Sequence, residues 1–214
     1  MNETQQKIVE AAEIEFAEMG YEGASIREIT KRAGVNIAAV NYHFGSKEVL
    51  FKEMVRYRIE PINRIRINLL EEALAENETK PLPVETVVDF VIRPLLREFI
   101  TQSGGDFRFM RAMGKAMAEE RSFMSELHQD ILKEIIAKFS KALSDSLGEP
   151  GFEKVSYGIH FLSCSILGVM MQHTRLQIIS GGKIDLHDMD KLANYLVTFV
   201  SSGLRAVARM NPEN

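Results

Sequence analysis

The sequence predicts an all-α protein of about nine helices, with three short helices in residues 1–50 and a larger helical body in residues 51–214. Three observations predict it. Apolar residues recur at spacings of three and four along nearly the whole chain, the period of a helix buried on one face. No stretch alternates polar and apolar residues as a half-buried strand would. Glycine, serine and asparagine stand where helices of that spacing need ends.

Ile8, Ala12, Phe16 and Met19 form the first apolar stripe, and Gly20 is expected to end that helix. Ser25 and Glu28 read as a capping box that opens a second helix, with Ile26, Ile29 and Ala33 inward and Gly34 closing it. Asn36 is expected to cap a third helix, Ile37 to His43, packed through Ile37, Val40 and Phe44. Gly45 and Ser46 break it, Ser46 caps a longer fourth helix, and Pro61 is a candidate kink. Further helices are expected from Val84 past Pro94 to about Thr101, from Asp106 to Glu119 and from Phe123 to Leu147. The last two are one long apolar helix from Phe152 to Ile179 and another from Asp185 to Ala208.

Composition narrows the class. Hydrophobic residues make up 45% of the 214, enough for a sizeable core. The polar start "MNETQQKIVEAAE" has no signal character, and no run reaches the ~18 apolar residues of a membrane span. A cytoplasmic protein without a membrane partner is expected. The one cysteine, Cys164, excludes an internal disulfide and, set in an apolar run, reads as a buried small hydrophobe. Net charge is −4, but it is unevenly distributed. Residues 1–23 carry a net of −5, whereas residues 24–58, with Arg27, Lys31, Arg32, Lys47, Lys52, Arg56 and Arg58, carry +4. A basic stretch in an acidic chain points to a localised contact with an anion.

Two short helices joined by a glycine-containing turn fit a helix-turn-helix. On the third helix Tyr42 points away from Val40 and Phe44, flanked by Ala38 and Ala39, with Asn41 and His43 at the edges. Small residues allow close approach to base edges. Alanine can touch a thymine methyl, asparagine can pair with adenine, and Tyr42 and His43 can bond phosphate oxygens.

The stretch "ITKRAGVNIAAVNYHFGSKEVL" resembles the helix-turn-helix signature of the tetracycline-repressor (TetR) family of bacterial transcription regulators. The resemblance is carried by Ala33, Gly34, Val35, Tyr42, His43, Phe44, Lys47, Glu48 and Leu50, and upstream by Ile8, Ala11, Ala12, Phe16, Gly20 and Tyr21. Two positions depart from the pattern: Ala38, where the family often has glycine, and Asn41, where it commonly has an aromatic. The resemblance implies a DNA-binding domain over residues 1–50 and a ligand-binding and dimerisation domain over residues 51–214. It implies phosphate contacts from Ser25, Arg27 and Lys47, and a groove-facing set of Asn36, Ala38, Ala39, Asn41, Tyr42 and His43.

A two-turn reading helix touches few base pairs, so a homodimer on a palindromic double-stranded DNA operator is expected. The candidate interface is Tyr157, Phe161, Cys164, Gly168 and Met171 on one helix with Leu192, Leu196, Phe199 and Leu204 on the last, giving a four-helix bundle between subunits. The family usually encloses a small-molecule effector in its middle helices. Phe90, Phe107, Met110, Met113, Met117, Phe123, His128 and Met170 are the candidate lining, with packed core as the competing reading for each. The expected function is that of an effector-released repressor. The alternative is a DNA-binding regulator controlled by a partner protein or lacking a small-molecule sensor. No cofactor or metal is expected, since His128, His160 and His173 lack ligand spacing. An enzyme is not expected, for no catalytic motif is present.

Overall fold

The computed structural model describes residues 1–77, 80–103, 108–119, 122–185 and 188–211. Ten helices lie among them: α1 (Glu3–Gly23), α2 (Ile26–Ala33), α3 (Ile37–Phe44), α4 (Lys47–Glu76), α5 (Val84–Ser103), α6 (Arg108–Ala118), α7 (Ser122–Ser146), α8 (Phe152–Met171), α9 (His173–Ser180) and α10 (Met189–Ala208). No strand occurs among the described residues. The tenth helix arises because the long apolar stretch expected from Phe152 to Ile179 divides at Gln172, whose φ of −126° and ψ of 32° leave the helical region. The chain packs as two compact units, one of Met1–Pro61 with Phe107–Leu132, the other of Ile62–Asp106 with Lys133–Asn214. The boundary read from sequence at residue 50 therefore lies inside α4, and α6 belongs with the N-terminal helices.

In the first unit α1 packs along α6 and against α2, and α2 against α3. Ile8, Ala12 and Phe16 line the inner side of α1, facing a buried stripe of Phe109, Ala112, Met113 and Ala116 on α6. The line in α1 continues to Gly20, at a spacing of four, so Met19 falls off it and is exposed, contrary to the sequence reading. Phe16, Tyr21, Phe51 and Phe123 form an aromatic cluster, with Phe16–Phe51 centroids 5.0 Å apart and Tyr21–Phe123 4.9 Å apart. Each such pair contributes about 0.5–1.5 kcal/mol beyond area burial.

Two carboxylates are buried here, and each is paired. Glu13 accepts from Arg58 Nε at 2.6 Å, and Glu15 meets Arg32 Nε at 3.2 Å. Glu15 also accepts from the backbone N–H of Ser25 at 3.4 Å. That contact corrects the capping box expected at α2. The Ser25 side chain makes no cap hydrogen bond, and the N–H that Glu28 was to take is held by a residue of α1.

In the second unit α10 packs on α5 and α8, and α8 contacts α9. A Cβ on Gly158 would lie 2.5 Å from Leu204 Cδ2, so α8 and α10 approach closely there. Arg93 pairs with Asp89 at 2.7 Å and with Asp190 at 2.8 Å, and Arg205 pairs with Glu85, tying α5 to α10. Arg66 is buried and has no carboxylate partner among the described residues, donating to the Val91 carbonyl from Nε at 2.9 Å and Nη2 at 2.7 Å and to Asn63 Oδ1 at 3.1 Å. Burial pushes its guanidinium down to about 10, still charged at neutral pH. Cys164 is exposed rather than buried, because Leu162, Ile166 and Met170 form the inner stripe of α8 and Cys164 lies off it. By length and composition α8 could cross a membrane, with a mean hydropathy of 1.2.

Candidate nucleic-acid interface

The reading head is built by three local stops. Gly34 takes φ 67° and ψ 31°, a left-handed conformation in which a Cβ is costly, and turns the chain after two turns of α2. Asn36 then caps α3, its Oδ1 accepting from Ala39 N at 2.9 Å. Gly45, at φ 72°, ends α3, and the Ser46 hydroxyl accepts from Val49 N at 3.1 Å to open α4.

Val40 and Phe44 are buried, fixing the rotation of α3 about its axis. Tyr42 is 86% exposed, opposite them as the periodicity required. Ala38 and Asn41 are exposed beside it, while Ala39 and His43 are half-buried at the rims. Ile37, read as part of the inner stripe, is 53% exposed instead. It is the first residue of α3. Its exposure adds an apolar contact to the outward face. The Tyr42 and His43 rings stand edge to face at 5.0 Å.

The flanking cations divide into engaged and available. Arg32 is held by Glu15 and Glu18, Arg58 by Glu13, Arg56 by Glu53 and Asp130, and Lys52 by Glu48 and Glu126. Four of the seven cations in residues 24–58 are therefore balanced within the first unit, Arg32 and Arg58 by acids of α1 and Lys52 and Arg56 by acids of α4 and α7. Arg27 is exposed and forms no ion pair among the described residues, and Lys31 meets only Glu28, at 3.6 Å. Ser25 is half-buried at the start of α2 with its hydroxyl uncommitted to a cap. Lys47 is half-buried and donates to the carbonyls of Glu22 at 3.1 Å and Ala24 at 2.8 Å. Desolvation lowers its pKa, opposed by attraction to Glu119 and Glu15. One of its three N–H donors remains for a phosphate.

On α8, Tyr157 and Phe161 stack at 6.1 Å and are about half exposed, with Cys164, Gly168 and Met171 also outward. On α10, Phe199 is 73% exposed, Leu192 is half-buried, and Leu196 and Leu204 are buried within the chain. The outward stripe of α10 thus runs through Tyr195 and Phe199, not through the leucines. Tyr195 was missed by sequence reading, although its position four before Phe199 was the available signal.

The anticipated effector lining is distributed between the units. Met110, Met113 and Phe123 are buried and Met117 is half-buried in the first, and Phe123 is engaged in the aromatic cluster. Phe90 is half-buried and Met170 buried in the second. Phe107 and the side chain of His128 lie outside the described residues. A surface hollow of about 570 Å³ in the second unit is lined by Leu74, Asn77, Lys80, Pro81, Asp145, Gly148 and Glu149, none of them in that set. Among the described residues no three His, Cys, Asp or Glu side chains converge as a metal site.

Comparison with known proteins agrees with this geometry. Residues 8–54 match the family described as bacterial regulatory proteins, tetR family, and residues 89–203 match the tetracyclin repressor-like C-terminal domain. The HTH-type transcriptional repressor AcnR of Corynebacterium efficiens is 38% identical over 73 residues, covering 34% of this chain and 37% of that protein. The probable HTH-type transcriptional regulator YttP of Bacillus subtilis is 42% identical over 52 residues, 24% of this chain and 25% of that one. The chain thus spans from a quarter to little more than a third of the length of these curated relatives. In fold, FadR of Bacillus subtilis, solved with stearoyl-CoA, superposes with a TM-score of 0.62 at 18% identity, covering 92% of this chain and 98% of that one. A linker-substituted variant of the regulator HlyIIR gives 0.60 at 21% identity, covering 97% and 98%. With a helix-turn-helix model matched at one end and the C-terminal domain model over more than half its length, the chain belongs to the TetR family of bacterial regulatory proteins.

Proposed function

We propose that the protein is a dimeric transcriptional repressor that binds a palindromic operator through α3 and is released by a small-molecule effector. The observation that carries the DNA-binding reading is the outward face of α3. Tyr42, Ala38, Asn41 and Ile37 form an uncharged, exposed surface on a two-turn helix whose rotation is locked by Val40 and Phe44. Such a face has no use for solvent and suits base edges in a major groove. Arg27, Ser25 and Lys47 serve phosphates at its margins, and Asn36 and His43 serve the groove rims. Binding DNA implies a cytoplasmic location.

Dimerisation is supported by Tyr157, Phe161, Tyr195 and Phe199, four aromatic side chains exposed on α8 and α10. A second copy offers the same face and buries them in a four-helix bundle. Effector control is supported by the stearoyl-CoA held by the similarly folded FadR, an instance of a small molecule in this architecture. Release follows from linkage: the effector favours a state whose two heads are wrongly spaced, and shifts the population by its differential affinity and no more.

The test is selection of duplexes from random DNA by the purified protein, followed by titration of the recovered site. A two-fold symmetric site with half-sites about one helical turn apart is expected. Recovery of no enriched sequence would overturn the operator. A thermal-shift screen across acyl-CoAs, fatty acids and drug-like amphiphiles tests the effector, and a partner-controlled regulator would respond to none of them.

A further inference from the structure

We propose that Glu119 is a positioning residue for DNA reading, holding the last turn of α1 and, through it, Lys47 and the junction of α3 with α4. The proposal rests on α3 being the reading helix. The link begins at Gly20, whose φ of 77° and ψ of 177° interrupt α1. The turn that follows needs acceptors for its own N–H groups, and the Glu119 carboxylate supplies them. Oε1 accepts from Tyr21 N at 3.1 Å and Oε2 from Glu22 N at 3.0 Å. Lys115, one turn earlier on α6, donates to the Glu18 carbonyl at 2.6 Å. Glycine at position 20 is favoured by its positive φ, and a Cβ there would lie 2.5 Å from Glu119 Oε1, so the carboxylate would have to move off the turn to make room.

The same turn grips the reading head from its other side. The carbonyls of Glu22 and Ala24 accept from Lys47, whose ammonium also lies 5.0 Å from the Tyr21 ring centroid. Glu22 thus gives its N–H to Glu119 and receives Lys47 at its carbonyl. Lys47 is the first residue of α4, and only Gly45 and Ser46 separate it from the end of α3. Charge-assisted hydrogen bonds stand at both ends of this relay, and these hold geometry better than neutral ones. A residue 75 positions after the reading helix in the chain, just past the end of α6 and outside the helix-turn-helix, thereby sets the helix-turn-helix's orientation.

The test uses the full chain, with variants Glu119→Gln, Lys47→Met and the double variant, on a duplex selected from random DNA by the wild type. Glu119→Gln is expected to weaken that duplex about tenfold, a loss of roughly 1.4 kcal/mol. Helicity and dimer mass stay the same. In the double variant the losses fall short of additive, as for two residues in one relay. In the free protein, amide exchange at Tyr21 and Glu22 accelerates in Glu119→Gln. Glu119→Asp, which keeps the charge on a shorter arm, loses less, and serves if the glutamine variant does not fold. Accelerated exchange with unchanged DNA affinity would make the cap purely structural and overturn the proposal. Unchanged exchange overturns the geometry, and additive losses overturn the relay. A wild type that selects no duplex removes the reading head itself, and this proposal with it. A wild type that selects one bound equally by the variant removes Glu119 alone.

Discussion

Arg27→Gln separates charges that act on DNA from charges that hold the fold. Of the seven cations in residues 24–58, Arg32, Lys52, Arg56 and Arg58 are held by carboxylates within the first unit, Lys47 by two carbonyls, and Lys31 loosely by Glu28. Arg27 is the exposed one without an ion pair among the described residues. If it neutralises one phosphate in each half-site, a dimer loses two contacts on mutation. The log–log salt slope then becomes shallower by about 1.8, at 0.9 per contact. A fourfold rise in salt, from about 50 to 200 mM, consequently narrows the gap between wild type and variant roughly twelvefold. Fluorescence anisotropy on a selected duplex across a potassium chloride series measures this directly. Arg32→Gln is the control. It removes the partner of Glu15, which is almost fully buried, so it should lower the melting temperature and leave the slope per bound dimer unchanged. Parallel salt lines for wild type and Arg27→Gln would refute the division of these cations into available and engaged.

Three further outcomes are expected. Tyr42→Ala should weaken operator binding several-fold in a gel shift while the dimer persists, because the ring is 86% exposed and supports nothing in the core. Phe199→Glu should give a helical monomer by analytical ultracentrifugation, since a charge desolvated across a two-fold interface meets its own copy or apolar surface. Gly34→Ala should cost about 1 kcal/mol, or a few degrees in thermal melting, because residue 34 sits at φ 67° with no neighbour within 4 Å of the new Cβ to cause a clash.

Legibility in the sequence followed the range of the interactions concerned. The caps at Asn36 and Ser46 and the glycine stops at Gly34 and Gly45 were readable because each is decided within about four residues. The outward direction of Tyr42 was readable for the same reason, since 100° per residue fixes it relative to Val40. Ser25 and Glu28 failed as a capping box although they fit its local pattern. A buried carboxylate ten residues upstream, Glu15, competed for the same N–H and won, because Arg32 already anchored it there. Charge counting failed in the same way. The +4 of residues 24–58 and the −5 of residues 1–23 looked like a basic reading surface beside an acidic helix. Instead Glu13, Glu15 and Glu18 of α1 hold Arg58 and Arg32, so part of each surplus is neutralised within the first unit.

Apolar stripes were legible as helices, but not always as core or surface. On α10 both the Leu196–Leu204 side and the Tyr195–Phe199 side have helical spacing. Periodicity assigns each a face without saying which faces inward. Packing decides, against α5 and against α8, where Gly158 lies at Leu204. Without a side chain it admits Leu204 at a distance that any Cβ would forbid. That brings the leucine side of α10 onto α8 and turns the aromatic side out. The same rotation of α8 that presents Gly158 to Leu204 sends Tyr157, Phe161 and Cys164 outward. An outward face of aromatic residues is costly in water unless covered. The glycine at the α8–α10 contact within one chain therefore goes with the outward aromatic surface on which the proposed dimer rests.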